Sequence, residues 1–249
     1  MSPPDSVAHS GEALSARTAA VWSVLYDELA RRPGQQLSIV DIGGGTGGFA
    51  VPLAELGHAV TVVDPSPDAL ATLDRRARAS DVAGRIRAIQ GDTDTLGDLV
   101  APDSADLVLC HSLLEVVDSP ETTLHLVAAV LREGGSLSIL VANRAAAVLA
   151  RAVGGHFADA QRALVDPGGR WGEGDGAIRR YDGEQLLAMV AAVGLSVEQL
   201  HGVRVVADLV PGAVADAAGE SLVSVELALA AVSPYRDIAT QLHVLARKP

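Results

Sequence analysis

Apolar and polar positions follow two rhythms along this chain. Short apolar runs at Leu37–Ile42, Ala59–Val63, Arg85–Gln90, Ala105–Cys110 and Ser136–Ala142 read as buried strands. Between them the spacing turns helical. A first helix is predicted from about Ala16 to Arg32, with Val21, Leu25 and Leu29 on one face and Pro33-Gly34 at its end. Phe49–Leu56 predicts a second helix. Ser66-Pro67 is an N-cap with proline at the first helical position, opening a helix to about Ala79, and Ser119-Pro120 repeats the signature ahead of a helix running to Glu133. Strands alternating with helices predict an α/β, doubly wound, Rossmann-like sheet with right-handed crossovers.

After Asn143 the rhythm loosens. Residues 144–180 carry two weak helical patterns and then the glycine-rich "DPGGRWGEGDGAIRR", read as an insertion that forms a lid. A helix at Gln185–Val193, a strand at Leu195–Val206, a helix at Ser221–Ala231 and a last strand in "QLHVLARKP" complete the pattern. That makes about seven strands, the last two an antiparallel hairpin at the sheet edge. Residues 1–14 are rich in Ser, Pro and Gly and are expected to be a flexible segment ahead of a single domain at 15–249.

Composition narrows the picture. Hydrophobic residues make up 49% and aromatics 3%, so the core is built from Val, Leu, Ile and Ala, which suits buried parallel strands. The net charge of −12 gives no general support to binding a phosphate backbone. The single cysteine, Cys110, excludes an intrachain disulfide. The start of the chain lacks a basic stretch followed by an apolar one, and no window reaches the ~18 apolar residues of a membrane helix, so a cytoplasmic protein without membrane contact is expected. No Cys/His cluster has metal-ligand spacing, and no metal is predicted.

The chemistry starts at "SIVDIGGGTGGFA". Five glycines between Gly43 and Gly48 follow the first strand and its acid, Asp41. Such a turn lets a ligand touch backbone, and the helix behind it offers free N–H groups. Gly43, Gly45 and Gly48 satisfy the dinucleotide pattern, and Gly43, Gly45 and Gly47 satisfy the tighter one used for S-adenosylmethionine. Asp41 separates the two. An acid beside a pyrophosphate is repulsive, whereas S-adenosylmethionine has a sulfonium, an ammonium and no phosphate. Asp64 ends the second strand, 17 residues past Gly47, where an acid accepts hydrogen bonds from ribose hydroxyls. Asp92, with the N–H groups of Thr93 or Asp94, is placed after the third strand to read an adenine edge.

With "VDIGGGTGG", "VVDPS", "GDTD" and "ADLVLCHSLLEVV" in this order, the chain resembles the class I S-adenosylmethionine-dependent methyltransferases over about residues 17–142. "HSLLEVV", "LREGGSLSIL", "VAN", "GVRV" and "LHVLARKP" extend the resemblance to the bacterial tRNA 5-carboxymethoxyuridine methyltransferase family, whose members methylate a carboxyl on wobble uridine. The resemblance implies S-adenosyl-L-methionine as cofactor, with contacts at Arg17, Gly43, Gly44, Asp64, Thr93, Asp94 and His111. Arg17 would hold the methionine carboxylate. Gly45 and Asp92 join this set from the turn pattern. The chain departs from the family in having no lysine-rich stretch before the sixth strand and Thr240 where an arginine stands.

The methyl acceptor is therefore expected to be either a tRNA or a small molecule, presenting an oxygen or nitrogen nucleophile. A carboxylate acceptor is already ionised at neutral pH and needs positioning rather than a base. Arg144, Arg179, Arg180 and Arg204 can hold an anion, and Tyr181 and Tyr235 can donate hydroxyls. Arg204, in an apolar run, and Tyr181 are the leading candidates with His111, which follows the fourth strand. His111 is either a cofactor contact or a general base, and Glu115, four residues on, is placed to orient its ring. His243 reads as a packed strand residue. A non-catalytic cofactor-binding protein is the alternative from another class.

Overall fold

The computed structural model describes residues 15–176 and 179–249; the N-terminal segment expected to be flexible and two positions of the glycine-rich loop lie outside the described residues. The strands are β1 (Ser38–Ile42), β2 (Ala59–Asp64), β3 (Ile86–Gln90), β4 (Ala105–His111), β5 (Leu131–Ala142), β6 (Ser196–Val203) and β7 (Gln241–Arg247). The helices are α1 (Ala19–Ala30), α2 (Ala50–Glu55), α3 (Pro67–Ala79), α4 (Leu96–Leu99), α5 (Pro120–Val130), α6 (Arg144–Val153), α7 (Phe157–Val165), α8 (Gly183–Ala192), α9 (Gly212–Ala218) and α10 (Glu220–Ala230).

The predicted caps form. Ser66 and Ser119 each accept a hydrogen bond from the N–H three residues on, that of Ala69 and that of Thr122, and each helix begins on the following proline. The strands make one sheet in the order β3-β2-β1-β4-β5-β7-β6. β1 to β5 run parallel, and β7 is antiparallel to both β5 and β6. The hairpin is therefore present, but β7 is inserted between β5 and β6, and β6 forms the edge. That restores β6 to the direction of the parallel strands and brings its carboxyl end to the same side as theirs. α5 stops at Val130, not Glu133, because β5 starts at Leu131 and takes in Gly134-Gly135 with a register shift against β4.

Alternation within each strand feeds two cores. Val40, Ile42, Val108, Cys110, Ile139 and Val141 pack on the side covered by α5 and α8. Ile39, Val60, Val62, Leu107, Leu109 and Leu140 pack on the other side with α1 and α2. By the same alternation, Asp41, Asp64 and His111 project to the α1 side, at the carboxyl ends of their strands.

Candidate active site

The glycine turn is built against two buried acids. Asp41, the last residue but one of β1, is buried. Its carboxylate lies under Gly44: a Cβ on Gly44 would stand 2.5 Å from Oδ2 and 3.0 Å from Val62 Cγ1. Only glycine lets the backbone pass that close. Burial first, and the neighbouring Asp64 second, push the Asp41 carboxyl up to about 7. Asp64 Oδ2 accepts the Gly45 N–H at 2.9 Å, and Oδ1 accepts the Ser66 N–H at 2.8 Å. Each oxygen keeps a lone pair for another donor.

A cavity of about 250 Å³ opens beside this turn, lined by Gly43, Pro65, Asp92, Thr93, Asp94 and Leu113 among others. Asp92 Oδ1 accepts the N–H groups of Asp94 and Thr95, each at 3.1 Å, which rigidifies the loop after β3. The Asp94 N–H proposed for an adenine edge is thus bonded within the loop. Val116, Val117 and Asp118 form the opposite wall. The guanidinium of Arg179 donates to the carbonyls of Val117 and, at 2.8 Å, Asp118, so the glycine-rich insertion is tied to this wall. A larger hollow of about 430 Å³ lies within the insertion, between α7 and the glycine-rich loop, away from Asp41 and Asp64.

His111 ends β4 and is packed edge-on against Phe49, whose ring stacks on Trp22 of α1. Burial lowers its ring to about 3, so the imidazole is neutral. Its Nε2 lies 2.8 Å from Ser138 Oγ. Glu115 does not orient it: Oε1 accepts the Ala142 N–H at 2.7 Å, because 112–118 is a turn and not the helix the spacing required.

Two further candidates sit differently from expectation. Tyr181 is 1% exposed and its hydroxyl donates to the Leu114 carbonyl at 2.7 Å, so the phenol ties the insertion to the wall instead of facing an acceptor. Arg204 follows β6 in a left-handed conformation, φ 58°, because β6 ends at Val203. Its Nε lies 3.3 Å from Asp208 Oδ2, and Arg17 reaches Asp208 Oδ1 at 3.1 Å. Two guanidiniums thus converge on one carboxylate just past the end of β6. Arg180 is buried against Asp175, Arg144 bonds the Pro167 carbonyl at 2.6 Å, and Tyr235 is exposed. The spacing signals missed Asp208, Ser138 and the Val116–Asp118 wall. Among the described residues no cluster of His, Cys, Asp and Glu is arranged to hold a metal ion, and no helix is long and apolar enough to cross a membrane.

Asp41 and Asp64 hold the glycine turn and do not line the cavity, whose own acids are Asp92, Asp94 and Asp118; an acid-rich turn and cavity suit a cationic nucleoside and not a pyrophosphate. Comparison with known proteins agrees. Residues 40–139 match the family described as a methyltransferase domain. The chain belongs to the S-adenosylmethionine-dependent methyltransferases. Within them it is 30% identical over 235 residues to the tRNA 5-carboxymethoxyuridine methyltransferase of Escherichia coli K12, covering 94% of this chain and 88% of that protein. A ubiquinone biosynthesis O-methyltransferase from Rhizobium leguminosarum is 32% identical over 127 residues, covering 51% of this chain and 49% of that protein. Among solved structures, magnesium protoporphyrin IX methyltransferase from Synechocystis, with bound S-adenosylhomocysteine, superposes with TM-score 0.63 at 14% identity, covering 94% of this chain and 84% of that one. The cyclase SpnF shares the fold at TM-score 0.58 and 19% identity, covering 91% of this chain and 80% of that one, so fold alone does not fix the chemistry.

Proposed function

We propose that this S-adenosylmethionine-dependent methyltransferase acts on an anionic oxygen, with a carboxylate on a modified tRNA uridine as the leading acceptor. The observation that carries the reading is the long match to the E. coli tRNA enzyme, spanning the cofactor half and the β6–β7 region alike. Gly43, Gly44, Gly45, Asp64, Asp92, Thr93 and Asp94 would hold the nucleoside, Asp41 would face its positive charge, and Arg17 its carboxylate. When bound, the cofactor supplies an electrophilic methyl group on a sulfonium.

The chain's own residues align and dry the site. An ionised carboxylate needs no proton removed, which agrees with a neutral His111 that is a poor base. Arg204 would have to leave Asp208 to grip an anionic acceptor, and Arg179 holds the wall of the cavity. By tying the insertion to Val117 and Asp118, Arg179 would help keep water from the reacting atoms.

A small molecule is the second reading. The net charge of −12 and the missing lysine-rich stretch favour it. Incubation with methyl-labelled cofactor and bulk tRNA separates the two. Label in carboxymethoxyuridine-containing tRNA supports the tRNA acceptor; an unlabelled pool, with turnover on small carboxylic acids, rejects it.

A further inference from the structure

His111 belongs to a buried chain of polar groups that crosses three strands. Ser138 Oγ lies 2.8 Å from His111 Nε2 and 2.8 Å from His243 Nε2. The sheet register explains the alignment. His111 is opposite Leu140 on β5, and Leu140 is opposite His243 on β7. Ser138, two residues before Leu140, is the diagonal neighbour of both histidines on one face. His201 of β6 is directly opposite His243, their rings 6.1 Å apart. The Nδ1 atoms of His111 and His243 are buried without a hydrogen-bond partner among the described residues.

A hydroxyl has one proton, so Ser138 donates to one imidazole and accepts from the other. Both rings are neutral, His111 and His243 alike being lowered by burial. The two rings must then hold opposite tautomers. His243 is 0% exposed, and no ligand reaches its Nδ1. An orphaned N–H in such a place is costlier than an orphaned lone pair. His243 therefore keeps its proton on Nε2 and donates to Ser138, and Ser138 donates to His111 Nε2. The remaining proton of His111 falls on Nδ1, on a residue that ends β4 at the carboxyl edge of the sheet and, unlike His243, is only partly buried.

We infer that Ser138 and His243 are positioning residues that fix His111 as the Nδ1–H tautomer, making it a hydrogen-bond donor toward an oxygen of the bound ligand or acceptor and not a proton acceptor. The role toward a ligand rests on the methyltransferase reading of the site; the tautomer does not.

Nitrogen NMR of the full chain labelled in histidine tests this directly. His111 should show a protonated Nδ1 and a bare Nε2, His243 the reverse, and addition of S-adenosylhomocysteine should leave both assignments in place. In Ser138→Ala the fixed pattern at His111 should give way to a mixture, while Ser138→Thr, which keeps the hydroxyl, restores it. A wild-type His111 protonated on Nε2, or an unchanged His111 pattern in a folded Ser138→Ala, overturns the inference. The wild-type spectrum decides even if the variant fails to fold. Absence of S-adenosylhomocysteine binding by the wild type would instead sink the methyltransferase reading and leave the tautomer result standing.

Discussion

Asp64 accepts the backbone N–H of Gly45 at 2.9 Å, joining the tip of β2 to the glycine turn that follows β1. One carboxylate therefore shapes the turn, and on the proposed reading it also accepts from the nucleoside's ribose. Asp64→Ala should weaken S-adenosylhomocysteine binding about 10- to 100-fold, the size expected for losing hydrogen bonds to a charged group. Isothermal titration measures it; an unchanged affinity would place the nucleoside elsewhere.

Asp41 gives the site a pH dependence. Its carboxyl titrates near 7, so it becomes charged as pH rises through that value. S-adenosylmethionine affinity should rise about 10-fold from about pH 5.5 to about pH 7, a window in which the ligand's amino group stays charged. Asp41→Asn should flatten this rise. Stability runs the opposite way. The folded state holds the proton more tightly than the unfolded chain, so stability falls as pH climbs from about 4 through about 7. Asp41→Asn should melt higher than wild type at about pH 8 and no higher near pH 4, by scanning calorimetry.

Gly47 tests the turn itself. It has φ 80°, and a Cβ there would stand 2.3 Å from Leu73 Cδ1 of α3. Gly47→Ala should cost about 1–3 kcal/mol, lowering the melting temperature by several degrees. A melting temperature equal to wild type would mean the turn is not held in this conformation.

Arg179 tests the tie between the insertion and the cavity wall. Arg179→Ala removes the donors to Val117 and Asp118 and should weaken cofactor binding about 5-fold with little change in melting temperature. An equal loss of stability and affinity would mark it as an ordinary structural contact.

What was readable in the sequence was local. The caps at Ser66 and Ser119 and the apolar runs act within a few residues of themselves, and the structure forms them there; Asp64 bonds the Gly45 N–H across the β1–β2 pair. What escaped depends on pairing across the sheet. His243 reads alone as a packed strand residue, and only the β4-β5-β7 register sets it 2.8 Å from Ser138 and, through it, on His111. Tyr181 read as a donor toward an acceptor, but its partner, the Leu114 carbonyl, is 67 positions away. Arg204 lay beyond the strand because β6 ends three residues earlier than the apolar run suggests. Asp208 gave no motif, and its pairing with Arg17 and Arg204 arises where β6 leaves the sheet.

Titration of the full chain with S-adenosylmethionine and, separately, with NAD asks whether buried acids at neighbouring strand ends select a cationic nucleoside. Micromolar heat with S-adenosylmethionine and none with NAD is the predicted outcome. Binding of NAD with no response to S-adenosylmethionine would contradict it.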